Sequence, residues 1–189
     1  MTGQEPVFLR GQPETRTDGE KMPTSDPVQI LVTTNRWATQ NLIEACKGLS
    51  EDQFHQKFEM GPGSLHDTIV HIIGAMRGWS DLLSSREEPR PRLESDTRRT
   101  PDELLQLLAE VSDEFESLSL SHPVDEDVEG KRGRRSYTFN RGTVVTHVTT
   151  HGMHHRAQCL NMLRQLGVET QPRSSVVDWS MMVDGQGKP

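Results

Sequence analysis

Four of the eight histidines in this chain crowd into one short stretch: His147, His151, His154 and His155. Imidazole is the commonest side-chain ligand of transition metals. Two rings four positions apart on a helix differ by only about 40° of rotation and can converge on one ion. On a wheel with Val144 as reference, Val144, Val148, Cys159, Met162 and Leu166 fall in a stripe roughly 60° wide. His155 lies about 20° to one side of the reference and His151 about 20° to the other. His147, at about 60°, and His154, at about 80°, flank the stripe. A buried imidazole needs partners for both ring nitrogens, and neighbouring protonated rings repel. A shared divalent ion removes both costs, so the spacing predicts His151 and His155 as two metal ligands. The competing reading is a hydrogen-bonded core pair or a pH-sensitive cluster.

A third ligand has to come from another helix. His66 and His71 are the candidates, because His55 and His122 fall in stretches that read as loops. Periodicity does not choose between His66 and His71, since each sits near one border of a broad apolar face. Other metal and nucleophile signatures are absent. His151-Gly152-Met153-His154-His155 has no Glu after the first histidine, as a metallopeptidase helix would, and no paired Glu-x-x-His marks a di-iron bundle. Asp52-Gln53-Phe54-His55 has related spacing but no mate. There is no P-loop, nucleophile elbow or dinucleotide fingerprint. The expected site is mononuclear, with three histidines and open coordination positions, which suits a reactive ion better than a sealed structural one.

These residues have to be positioned by helices. Ser25-Asp26-Pro27 is a helix start, and Val28, Leu31, Ala38, Leu42 and Ala45 then recur at helical period until Gly48. Met60 to Ser64 is a break, with Ser64 as the cap of a second helix carrying Leu65, Ile69, Ile72, Ile73, Met76, Leu82 and Leu83. A charged, proline-containing connection follows, read as crossing a bundle end. It leads to Thr100-Pro101-Asp102-Glu103 and a third helix with Leu104, Leu108, Val111, Phe115 and Leu118. Val128 and Tyr137 to Phe139 predict a short hairpin around Lys131, Arg132, Arg134 and Arg135. That basic cluster reads as a solvated turn, with an anion patch as the alternative. A fourth helix opens near Asn140 and ends at Gly167. The segment from Val168, with Val176, Val177, Trp179, Met181 and Met182, is apolar enough to pack back on the bundle. The expectation is an all-α four-helix bundle over residues 26–180, with long crossover connections, a disordered arm over 1–25 and a flexible tail over 181–189.

Composition narrows the function classes. The 189 residues fit one domain. A net charge of −7, from 21 Lys+Arg against 28 Asp+Glu, argues against nucleic acid as a partner. The N-terminal stretch has no apolar run for a secretory signal, and no segment is apolar enough to span a bilayer. Cys46 and Cys159 form no Cys-x-x-Cys pair and read as reduced thiols of a cytoplasmic protein.

Over about residues 26 to 180 the chain resembles the DinB/YfiT-like family. The strongest part is THVTTHGMHHRAQCLNMLRQLG, from Thr146 to Gly167, which resembles that family's last-helix signature. Ser64 to Trp79, SLHDTIVHIIGAMRGW, is similar to its second-helix motif, and Asp178-Trp179 gives a weaker match. The resemblance implies that His71, His151 and His155 bind the metal, which settles the choice on the second helix. It leaves His147 and His154 as neighbours that orient a ligand or touch substrate. It also implies a nickel, zinc or iron ion, a homodimer, and chemistry on a small molecule with a low-molecular-weight thiol. The expected function is a metal-dependent thiol S-transferase. The alternatives are a metal-dependent hydrolase, for which no carboxylate base is placed by sequence, and a non-catalytic metal-binding stress or sensor protein.

Overall fold

The computed structural model describes residues 24–185 except 96, 133 and 134, and gives only the backbone of Lys131, Arg132 and Arg135. The basic cluster and most of the N-terminal arm therefore lie outside the described side chains. The elements in order are α1 (Pro27–Cys46), α2 (Glu51–His55), α3 (Leu65–Leu83), α4 (Pro101–Leu120), β1 (Asp127–Arg132), β2 (Arg135–Asn140), α5 (Arg141–Gln165) and α6 (Val176–Val183). The helix starts follow the capping chemistry read from sequence. Asp26 accepts from the Val28 amide with Pro27 in the first turn. Ser64 accepts from the Asp67 amide, and Thr100 and Glu103 form a reciprocal capping box.

Helices α1, α3, α4 and α5 form the bundle, each packed on two others in the cyclic order α1, α4, α3, α5. Cross-helix contacts give the directions. Arg36 pairs with Asp113 and Lys47 with Asp102, so α1 and α4 are antiparallel. The Arg99 amide meets His66 and Ser112 meets Met76, so α3 and α4 run parallel. Trp79 lies against His147 and His71 against His151, so α3 and α5 are antiparallel. The core holds Leu42, Ile43, Ile69, Ile73, Leu104, Phe115, Val144 and Met162, all essentially buried.

Parallel consecutive helices need a connection that returns along the bundle. The segment between α3 and α4 does this, running back along α3 rather than crossing the bundle end as the sequence reading expected. Arg90 bonds buried Asp81 through both its Nε and its amide, at 2.7 and 2.9 Å. Arg77 reaches the Pro91 carbonyl. Leu93, 6% exposed, presses on α3 where Gly74 has no side chain. The Arg99 amide then donates to His66 at 3.1 Å. This strap therefore passes His71 midway.

Two local readings are corrected. His55 ends α2, a short helix nucleated by the Ser50–Gln53 capping box, and is not a loop residue. Residues Met181 to Val183, assigned to the tail, complete α6. Asp178 caps α6 with Ser175, and Trp179 packs on the bundle at 7% exposure. The hairpin forms as expected, with Val128 opposite Phe139 and Gly130 opposite Tyr137. At Gly130 an added Cβ would run into Leu82, so the missing side chain lets the hairpin lie close on α3. No helix among the described residues is long and apolar enough to cross a membrane.

Candidate metal centre

Helix α5 is buried on two sides. Val144, Val148, Cys159 and Met162 form the stripe read from sequence; Val145, Thr149, Gly152, Arg156 and Leu163 form a second one beside it. The second stripe faces α1, where Arg156 Nη1 donates to Asn35 Oδ1 at 2.6 Å and Thr39 Oγ1 at 3.1 Å. The consequence for the histidines is a shift outward. His151 and His155 lie at the border of the buried surface and are half-buried, not central to it. His147 and His154 are exposed.

From that border the two rings meet His71 of α3. One nitrogen of each of His71, His151 and His155 lies within 4.8 Å of the others. His71 Nε2 and His151 Nε2 are 3.2 Å apart. Ring centroids are 4.7 Å apart for His71 and His155, and 4.4 Å for His151 and His155. His66 is not part of the cluster. It is 3% exposed, and its Nε2 accepts from the Arg99 amide. Its Nδ1 therefore carries the proton, which it donates to Asp67 Oδ1 at 2.9 Å. Both nitrogens are spent on structure, and this separates two histidines that periodicity left equal.

Two residues absent from the sequence reading fix the rings. His71 Nδ1–H donates to Glu94 Oε1 on the strap at 3.0 Å, which leaves a lone pair on Nε2. His155 Nδ1–H donates to Gln158 Oε1 at 2.8 Å, and the Gln158 amide donates onward to His154 Nε2 at 3.2 Å. His154 thus acts on the cluster through Gln158. His147 reaches it by ring contact, 5.6 Å from His151 and 4.9 Å from Trp79. Gly61, in the break before α3, has φ of +51° and backs directly onto the Gln158 carboxamide, where no Cβ fits. Gln158 was findable from its i+3 spacing to His155. Glu94 had no such signal, beyond the lone apolar Leu93 in a charged stretch.

The electrostatics disfavour the charged form of the two α5 rings. Burial first, then His155 and His71, push the His151 pKa down to about 4. Burial also lowers His155, against the opposing bond to Gln158, with His71 and His154 adding to the effect. Burial would raise Glu94, but its backbone bond and His71 outweigh that and hold it ionised. Neutral imidazoles with Nδ1 anchored by acceptors are the form in which histidine ligates metals. The donor spacing fits as well. Metal–nitrogen bonds of about 2.0–2.1 Å at tetrahedral to octahedral angles separate two donors by roughly 2.8–3.4 Å, and the observed 3.2 Å falls inside that range. Without an ion, the same 3.2 Å is the length of a hydrogen bond from a His151 Nε2–H to the His71 Nε2 lone pair, so the contact accommodates either arrangement. His71, His151 and His155 could therefore hold a divalent ion. A cavity of about 660 Å³ opens beside His71, with Glu94, Asp67, Lys57 and Arg98 in its lining.

The DinB family model matches residues 22–179. The Protein DinB of Bacillus subtilis (strain 168) is 25% identical over 159 residues, covering 78% of this chain and 91% of that protein. Two solved structures share the fold. A DinB-like protein, YjoA, of Bacillus subtilis superposes with a TM-score of 0.57 at 12% identity, covering 79% of this chain and 99% of its own. A DinB-like protein of Bacillus cereus ATCC 10987 gives 0.58 at 17% identity, covering 76% and 92%. The match spans the bundle and all three clustered histidines: the chain belongs to the DinB family.

Proposed function

We propose that the protein is a divalent-metal-dependent enzyme acting on small molecules, and that its reaction is thiol S-transfer. The observation that carries the proposal is the 3.2 Å approach of His71 Nε2 to His151 Nε2, with the Nδ1 of His71 committed to Glu94. The ligands would be His71, His151 and His155, and an all-imidazole set suits nickel, zinc or iron. When bound, the ion supplies Lewis acidity that lowers a thiol's pKa and holds it as the thiolate.

The chain's own residues do the rest. Glu94 and Gln158 hold the Nδ1 protons of His71 and His155, and so fix tautomer and ring direction. Transfer then forms a sulfur–carbon bond on an electrophilic substrate. The leaving group departs with its bonding pair and the thiol proton passes to solvent. Hydrolysis ranks lower, because the nearby carboxylates are engaged: Glu94 by His71, and Asp67 by Lys57 and His66. Two free, buried cysteines suit a reducing, cytoplasmic compartment. The exposed Val177, Met181 and Met182 of α6 favour the expected homodimer.

The test is conjugation of cysteine, glutathione and other cellular thiols to 1-chloro-2,4-dinitrobenzene, with metal-loaded and chelated protein. The proposal expects a rate above background that disappears on chelation and returns with the ion. No metal-dependent rate with any thiol refutes the transferase reading.

A further inference from the structure

The antiparallel pair α3 and α5 sets the three-histidine cluster between two chemically different neighbourhoods. Toward the N-terminus of α3 lies the 660 Å³ cavity, which reaches His71 and is lined by cations and acids together: Lys57, Arg98, Asp67 and Glu94. Toward its C-terminus, about 12 Å along the helix axis from His71, the surface turns aromatic. His147 meets Trp79 edge-on at 4.9 Å, Trp79 meets Phe139 edge-on at 5.8 Å, and Phe139 stacks on Tyr137 at 6.0 Å with planes 10° apart. The row starts at the cluster itself, through His147 and His151. The chain has few aromatic residues, a single Tyr and five Phe among them, so this gathering is not a matter of composition. Tyr137 is 37% exposed and His147 is exposed, which leaves ring surface open to a ligand.

Each neighbourhood selects a substrate by its chemistry. Arg98 pairs with Glu51, and Lys57 with Asp67, and the cationic partners are mostly exposed. Such solvent-exposed pairs contribute about 0–1 kcal/mol, so a ligand carboxylate can displace them. A cavity offering both charge signs suits a zwitterionic head group. Exposed ring faces suit a flat, apolar molecule. Building on the transferase reading, we propose that the two co-substrates approach the cluster from opposite flanks. A thiol bearing a carboxylate and an ammonium docks in the charged cavity, with Arg98 as its carboxylate anchor. A flat apolar electrophile lies along Tyr137, Phe139 and Trp79.

The test measures binding rather than turnover. Calorimetry compares L-cysteine with cysteamine, which lacks the carboxylate. Tryptophan fluorescence quenching follows 1,3-dinitrobenzene, which is flat and unreactive toward thiols. Arg98→Ala should weaken L-cysteine about tenfold, to the level of cysteamine, and leave dinitrobenzene unchanged. Tyr137→Ala should weaken dinitrobenzene about fivefold and leave cysteine unchanged, while Tyr137→Phe, which keeps the ring, binds as wild type. Saturation with one probe should leave the affinity of the other intact. Competition between the probes, or equal weakening of both by either variant, overturns the proposal. The same titrations on metal-free protein separate the two ideas. Cysteine affinity that ignores the metal refutes thiol coordination, yet leaves the flank assignment standing if Arg98→Ala still removes the preference over cysteamine.

Discussion

Gly152 lies between the two ligands of α5, and the structure makes its replacement by alanine a quantitative test of how that helix is held. A Cβ at Gly152 would collide with Asn35 Oδ1 and lie 2.9 Å from Arg156 Nη1. Those two atoms are bonded to each other at 2.6 Å. Arg156 is 6% exposed, burial lowers its pKa to about 10, and no carboxylate among the described residues pairs with it. Moving Asn35 therefore removes a hydrogen bond to a buried charge, worth about 1.5–3 kcal/mol. Alanine returns about 1 kcal/mol through helix propensity. The net expectation for Gly152→Ala is a loss of about 0.5–2 kcal/mol, or a Tm lower by roughly 1–8 °C for a chain of this size. Gly78 is the control. It lies within α3, is exposed, and has nothing within 4 Å of a built Cβ. Gly78→Ala should therefore gain about 0.5–1 kcal/mol. Urea unfolding followed by circular dichroism reads both variants. If Gly152→Ala proves as stable as Gly78→Ala, the close α1–α5 contact through Asn35 and Arg156 is wrong.

Other expectations follow from single contacts. Glu94→Ala should weaken metal binding about 10–100-fold, with Glu94→Gln nearer wild type because it keeps an acceptor for His71, as measured by competition with a chromophoric chelator. His66→Ala should cost about 1–3 kcal/mol in a melting experiment, since it orphans the partly buried Arg99 amide, but should leave metal content unchanged. The metal-free protein should lose stability in acid. His151 titrates near pH 4 when folded, against an ordinary value of 6.5, so its contribution is complete above about 6.5 and is lost as pH falls toward 4. Because the ring is half exposed, solvent screening limits that contribution to about 1 kcal/mol. Unchanged stability between pH 7 and 4.5 would count against it. Burial raises the Cys46 thiol to about 12 and also raises Cys159, so neither should react with iodoacetamide at neutral pH until the protein unfolds.

Sequence carried the helices well, because their ends are marked by local chemistry: Asp26-Pro27, Ser64 and Thr100 each satisfy amides within their own first turn. The i,i+4 histidine pair was legible for the same reason. Its burial was misjudged because an apolar wheel sees only the Val144 stripe. The second buried stripe runs through Thr149, Gly152 and Arg156, polar or small residues whose burial depends on partners in α1. The equality of His66 and His71 could not be broken locally either. It is broken by the Arg99 amide, which arrives from a distant connection and occupies His66. Glu94 was hidden by the same fact. Its position follows from the strap running back along α3, a consequence of α3 and α4 being parallel, and nothing in a charged segment announces that direction.

The central claim is that His71, His151 and His155 hold one divalent ion, and elemental analysis of purified protein tests it most directly. Wild type and His66→Ala should carry a single ion per chain, whereas His71→Ala, His151→Ala and His155→Ala should each lose most of it. Equal metal in all five proteins, or none in wild type after exposure to zinc, nickel and iron, would contradict the account.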